Sequence, residues 1–181
     1  MFKLYLKPFG TEPPDAPEFY ELFGRCAVLW GRLDSTLEYV LVELAALPSA
    51  ADIRPREIPV SFKRKIKLWR KLYQTLPEVS GRQSRALKFA DDAVALSQKR
   101  NPLIHAVIGF SGSDTAASGI HYKQDGPRTL YRRFKVEKKD LETLLIETNN
   151  LLQRLAPFTL HAWSQGFQPE TQPPSSEPAE K

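Results

Sequence analysis

The sequence predicts a mainly α-helical protein: an antiparallel bundle of four to five helices with a small β-ribbon inserted before the last helix. Apolar residues recur every three or four positions over four segments, which is typical of helices that pack on other helices. Between residues 107 and 136 the period changes, and short β-prone runs are separated by turn sequences at residues 111–114 and 124–127. At 181 residues, the chain has the length of one ordinary domain.

The limits of each helix are predicted from its apolar stripe and from the residues at its ends. Pro48 ends the first helix, and Ser61 is a good N-cap for the second. The β-ribbon, of two or three strands, lies between the third helix and the last. The four predicted helices are residues 18–47, 61–76, 82–99 and 137–156.

One folded domain is predicted between two irregular ends. Residues 1–17 are an extended arm rich in proline, residues 18–166 are the helical domain, and residues 167–181 have the Pro, Glu, Gln and Ser composition of a disordered tail. Cys26 is the only cysteine, and no signal peptide or membrane span is recognisable. We therefore expect a cytoplasmic protein that does not insert into membranes.

The positive charge is concentrated in the second helix. The formal net charge is +5, and the tail is acidic, so the excess belongs to residues 1–166. Six cations without an acidic residue among them are predicted on the faces away from the apolar stripe of this helix, and the last strand of the ribbon adds two more. They are Lys63, Arg64, Lys65, Lys67, Arg70 and Lys71, with Arg132 and Arg133 in the ribbon.

These cations have two interpretations. Most charge runs are the solvated face of an amphipathic helix. However, helices usually dilute like charges with acidic partners one turn away, so an uncompensated run favours a nearby phosphate or acidic protein. The sequence makes Lys63, Arg64, Lys67, Arg70, Lys71, Arg132 and Arg133 the candidate nucleic-acid-binding residues.

Several other conspicuous residues are predicted to have structural roles. Trp30, Trp69 and Tyr73 lie on the apolar stripes of their helices and are expected in the core, not as platforms for stacked bases. Asp91 and Asp92 point about 100° apart on a helix and are expected at the surface.

Arg100, Asn101 and His105 lie close together at the end of the third helix, where apolar packing does not explain them. An arginine offers a planar fork of donors to phosphate oxygens, and a histidine moves protons near neutral pH. On a straight helix Arg100 and His105 are about 140° apart, so they converge only if the helix bends or a second chain contributes. Pro102 favours a bend, because it removes one backbone donor and collides with the carbonyl of Gln98.

The same residues also have structural interpretations, which the sequence leaves open. Arg100 could cap the carboxyl end of the helix through its dipole, and His105 could be an ordinary semi-buried histidine. Asn101, followed by proline, could be the N-cap of a helix that restarts at Pro102.

Arg100-Asn101-x3-His105, late in a predicted helical bundle, resembles the Arg-x4-6-His motif of the HEPN family, the higher eukaryotes and prokaryotes nucleotide-binding domain. In that family a polar residue, often asparagine, commonly follows the arginine. The resemblance covers residues 18–156 in element order. The chain departs from the pattern at Ala106, where many members have glycine, and at Pro102 inside the motif.

This resemblance implies a metal-independent endoribonuclease, as in toxin-antitoxin, abortive-infection and CRISPR systems, that needs no cofactor and works as a homodimer with two motifs in one cleft. The RNA would be cleaved by its own 2′-hydroxyl, leaving a cyclic phosphate and a 5′-hydroxyl. Arg100 would hold the scissile phosphate, His105 would move the proton, and Asn101 would orient the substrate or the histidine. RNA and an antitoxin or other regulatory protein are the implied partners.

The alternative is a non-catalytic HEPN-like helical module that binds nucleic acid, a nucleotide or a partner protein through its basic face. A nucleotidyltransferase or nucleotide hydrolase is a third interpretation. Neither a Gly-rich phosphate loop nor a Gly-Ser motif followed by paired aspartates is present in the sequence to favour it.

Overall fold

Four α-helices and a small antiparallel sheet make up the computed structural model of the chain, which describes residues 16–104, 106–109, 117–125 and 128–159. The prediction of a mainly helical fold is confirmed. The helices are α1 (Ala16–Ala45), α2 (Phe62–Thr75), α3 (Gln83–Ile104) and α4 (Lys138–Leu155), and the strands are β1 (Ala106–Gly109), β2 (Ala117–Asp125) and β3 (Arg128–Val136).

The helices bury the apolar stripes from which they were predicted. α1 packs mainly against α2 and α4, and α3 packs mainly against the same two helices. Cys26 of α1 is buried, and burial raises the pKa of its thiol to about 11. The buried stripe of α1 includes Phe19, Cys26, Trp30, Leu33, Leu37 and Leu41.

An aromatic cluster around Trp69 joins α2, α3 and the turn after α4. The ring centroid of Trp69 lies 4.6 Å from that of Tyr73 and 5.1 Å from those of Phe89 and Phe158. The indole nitrogen of Trp69 donates a hydrogen bond of 2.8 Å to the carbonyl oxygen of Ala86. Trp69 and Tyr73 are therefore core residues, as predicted.

The carboxyl end of α3 differs from the prediction. The helix was expected to end near residue 99, but it continues through Asn101 and Pro102 to Ile104. The interpretation of Asn101 as a new N-cap is therefore wrong, because Asn101 lies inside the helix. Pro102 is accommodated inside the helix: it lacks the N–H that would donate to the carbonyl oxygen of Gln98, and the helix still continues through Leu103 to Ile104.

The predicted ribbon is a three-stranded antiparallel sheet in the order β1-β2-β3. Its register pairs Ala117 with Val136 at one end and Asp125 with Arg128 at the other. Ala117 and Val136 are both buried, so this end of the ribbon is anchored in the core, and α3 also contacts β1 and β2.

The predicted arm and tail fall almost wholly outside the described residues, since the description begins at residue 16 and ends at residue 159. Within the described part of the chain, no helix combines the length and the apolar character needed to cross a bilayer.

Candidate functional site

The candidate site lies where α1, the start of α2 and the end of α3 meet, and Trp30 of α1 is at its centre. The guanidinium carbon of Arg100 lies 5.0 Å from the centroid of the Trp30 ring. The ring of Phe62, the first residue of α2, lies 4.7 Å from the same ring. Trp30 is a core residue, as predicted, but its ring also supports a cation, an arrangement that favours arginine over lysine.

Arg100 has no carboxylate within ion-pairing distance among the described residues. Its Nη1 donates a hydrogen bond of 3.2 Å to the side-chain oxygen of Asn101, and it makes no ion pair within the described part of the chain. Its Nε is buried without a hydrogen-bond partner among those residues. Burial lowers the pKa of Arg100, and the nearby charge of Asp34 opposes this. A half-buried, always-charged fork with spare donors is suited to binding an anion.

Lys65, Asp34 and Glu38 form an ion cluster in which the lysine is buried and the carboxylates are partly exposed, and the charge of Asp34 acts on Arg100. The Lys65 side chain is 2% exposed, and its ammonium lies 2.9 Å from Asp34 Oδ2 and 2.7 Å from Glu38 Oε2. The placement of Lys65 on the solvated basic face is therefore wrong. The error has a physical reason: two carboxylates one turn apart on α1 compensate the cost of burying the ammonium.

The carboxylates also determine the protonation of Lys65. Burial by itself lowers the pKa of the ammonium, but the hydrogen bonds to Glu38 and Asp34 outweigh it, so the pKa is raised above 10.5. The stabilisation from this pairing is thus fully present at neutral pH and is lost only as the pH rises through the raised pKa.

Asp34 belongs to the ion cluster, and its negative charge also acts on the Arg100 guanidinium. Trp30, Asp34 and Glu38 are spaced by four residues and lie on one face of α1. Asp34 is bound to Lys65 through Oδ2, while its Oδ1 is buried without a hydrogen-bond partner among the described residues. Sequence reasoning missed Asp34, Glu38 and Lys65; the available signal was the pair of acidic residues one and two turns after Trp30.

Exposed cations of α2 form what we call the α2 basic surface: Lys63, Arg64, Lys67 and Lys71. None of the four makes an ion pair within the described ranges. Arg70, predicted with them, is instead compensated, because its Nη2 lies 2.6 Å from Asp91 Oδ1 of α3. The expectation of an uncompensated run therefore fails at Lys65 and Arg70, whose acidic partners come from other helices.

The first turn of α2 packs against the candidate site through Phe62. Phe62 contacts Trp30, and Trp30 contacts Arg100, so Lys63 and Arg64 follow directly after a residue of the candidate site. In contrast, Arg132 and Arg133 are exposed neighbours on β3 and point to opposite faces of the ribbon. They cannot both line one surface with α2.

Asp91, Asp92 and His105 were also singled out in the sequence. Asp91 and Asp92 are ion-paired surface residues, with Arg70 and Arg154 respectively. His105 lies outside the described residues, so its separation from Arg100 stays a prediction. Among the residues that the structure describes, no three His, Cys, Asp or Glu side chains group as metal ligands.

The structure thus brings Arg100, Asn101 and Trp30 together, with the charge of Asp34 acting on Arg100. No protein-family model, curated protein or solved structure matches the chain. The candidate site is therefore described from its own geometry.

Proposed function

We propose that the protein is a metal-independent endoribonuclease of the HEPN type, with the antiparallel helical bundle of that family, that cleaves RNA through attack by the 2′-hydroxyl. The observation that carries the proposal is Arg100: its guanidinium is held on Trp30 and bonded to Asn101, and it has no carboxylate partner in the described chain. An arginine with only a structural role at this depth would be expected to form an ion pair.

In the proposed reaction, the 2′-oxygen of a ribose attacks the adjacent phosphorus and the bond from phosphorus to the 5′-oxygen breaks. His105 accepts the proton of the 2′-hydroxyl, and a proton is delivered to the leaving 5′-oxygen, which becomes a 5′-hydroxyl. Arg100 binds the phosphate oxygens, on which negative charge increases in the transition state. Asn101 fixes the guanidinium through the bond to Nη1.

A homodimer completes this site in the proposal. As the HEPN resemblance implies, a second copy brings its own Arg100 and His105 to the same cleft. Such an enzyme is harmful to its own cell unless it is controlled. A role as a toxin or phage-defence effector, restrained by an antitoxin or another regulatory protein, is part of the proposal.

Alanine substitution tests the catalytic pair. Arg100→Ala and His105→Ala are each expected to lower the rate of RNA cleavage in EDTA by about 10²–10³-fold, the typical loss when a group that stabilises the transition state is removed. Arg100→Lys keeps the charge but loses the planar fork, so it is also expected to be impaired. Cleavage of end-labelled RNA on gels, with identification of the cyclic phosphate, measures the effect.

Two controls make the result specific. Arg56→Ala removes an exposed arginine from the loop before α2, and it should cleave at the wild-type rate. An RNA with 2′-O-methyl groups lacks the attacking hydroxyl and should stay intact. The proposal is wrong if the wild-type protein leaves varied RNAs uncut, or if both alanine variants cleave as fast as the wild type while remaining folded.

The second candidate function is nucleic-acid binding without cleavage, and the α2 basic surface favours it. The double variant Lys63→Ala/Lys67→Ala is expected to bind 2′-O-methyl RNA more weakly. The slope of log affinity against log salt should fall by about 0.7 for each phosphate that a lysine no longer neutralises. Fluorescence anisotropy over a series of salt concentrations measures this.

The matched control for the binding test is Lys139→Ala, an exposed lysine of α4 that is paired with Glu137. It should leave the slope unchanged. An equal slope in Lys63→Ala/Lys67→Ala and in the wild type would show that RNA is bound elsewhere.

A further inference from the structure

A second cationic site lies between the start of α3 and the end of α4, where a pocket of about 590 Å³ opens. We call it the α3-α4 pocket. Four cations contribute to its lining, and no acidic residue is among the described residues that line it. The lining residues on which the inference depends are Arg82, Arg85, Lys88, Arg154, Phe89 and Phe158.

Two of the four cations are held in place by the fold. Arg82 Nη1 donates a hydrogen bond of 2.7 Å to the carbonyl oxygen of Pro157. Arg154 Nη1 lies 2.7 Å from Asp92 Oδ2, and the same oxygen lies 3.7 Å from the Lys88 ammonium. One carboxylate is thus shared by two cations, which leaves an excess of positive charge around the pocket.

The side chain of Arg85 can contact a ligand in the pocket. It is exposed, and it forms no ion pair within the described ranges. Arg85 and Lys88 are three residues apart and lie on the same side of α3, in the first two turns of the helix. The partial positive charge of the helix amino terminus adds to theirs. Two exposed cations therefore face the mouth of a pocket whose other two cations are fixed.

The interior of the pocket is apolar. Phe89 and Phe158 line it, and their ring centroids are 6.2 Å apart. Both rings also pack on Trp69, so this wall belongs to the rigid core. The volume is in the range of pockets that bind small organic ligands, about 300–1,000 Å³.

The α3-α4 pocket is separate from the candidate catalytic site. Arg85 and Arg100 are fifteen residues apart on α3, which corresponds to about 22 Å along the helix axis. A ligand in the pocket would therefore not occupy the cleft proposed for RNA cleavage.

We infer that the α3-α4 pocket binds a small polyanion with an apolar body, of the size and chemistry of a nucleoside polyphosphate. Arg85 and Lys88 contact its phosphates, Arg82 and Arg154 add to the positive potential, and the apolar wall takes the body. The inference does not depend on ribonuclease activity, since it concerns a different surface of the protein.

Calorimetric titration of the full chain with ATP in EDTA tests the inference. We expect saturable binding at one site, with an affinity about tenfold or more above those for adenosine and for inorganic tripolyphosphate, because neither probe combines charge with an apolar body. Arg85→Ala/Lys88→Ala is expected to weaken ATP binding by about tenfold or more, because two charge-assisted hydrogen bonds are removed. Both side chains are exposed, so the variant should fold, and urea unfolding verifies this.

The control is Lys63→Ala/Lys67→Ala, which removes the same number of charges from the α2 basic surface and should leave ATP binding unchanged. Three results would overturn the inference. They are the absence of saturable binding, tripolyphosphate binding as tight as that of ATP, and a loss of affinity in the α2 variant but not in Arg85→Ala/Lys88→Ala.

Discussion

Replacement of Lys65 by alanine is expected to lower the free energy of unfolding by about 3–5 kcal/mol, the usual cost of breaking a buried ion pair from one side. The variant leaves Asp34 and Glu38 without their cation and also removes a buried aliphatic stem. Because the Glu38 carboxylate is half-exposed and can be rehydrated, the loss should lie toward the lower end of that range. Urea unfolding followed by circular dichroism measures it.

Lys67→Ala is the matched control, since Lys67 is an exposed lysine two residues further along the same helix. Its expected effect is within about 0.5 kcal/mol, as for most surface substitutions. If Lys65→Ala were no more destabilising than Lys67→Ala, the ion cluster would contribute nothing to the fold.

Trp69→Ala should also destabilise the protein by about 3–5 kcal/mol, because it removes the central ring of the aromatic cluster and leaves a large cavity. The indole is fully buried, contacts rings from α2, α3 and the turn after α4, and donates a hydrogen bond to Ala86. Trp69→Phe keeps most of the ring volume and loses the hydrogen bond, so an intermediate loss is expected. The midpoints of urea unfolding rank the three proteins.

Val60→Ala is the control for the core substitution, since Val60 is 92% exposed. Its midpoint should match that of the wild type. A Trp69→Ala protein that unfolds at nearly the wild-type urea concentration would contradict the assignment of Trp69 to the centre of the core.

Apolar periodicity predicted most of the fold. The predicted limits of α1, α2 and α4 agree with the structure to within two residues, because each helix buries a regular stripe. The end of α3 was predicted near residue 99, before a bend favoured by Pro102, but the helix continues through Pro102 to Ile104. Pro102 removes only one bond of the ladder, the one to the carbonyl of Gln98, and the helix continues for two residues after it.

The candidate site was predicted only in part. Arg100 and Asn101 were identified from a local motif, and the structure brings them into contact. Lys65 precedes the buried residues Leu68, Trp69 and Leu72 by three, four and seven positions, so the helical period places it on their face of α2. Its partners are 31 and 27 residues away along the chain, so α2 alone could not identify them. Arg85 and Arg154 both line the α3-α4 pocket although they are far apart in sequence. Composition alone does not predict that two such residues lie close together.

The indole of Trp30 is contacted by the first residue of α2 and by the guanidinium of Arg100. It follows that an outward displacement of the amino-terminal turn of α2 would tilt the ring and move the arginine with it. The fluorescence of Trp30 would report such a displacement once Trp69 and Trp163 were replaced by phenylalanine, the substitution that retains most of the Trp69 ring volume.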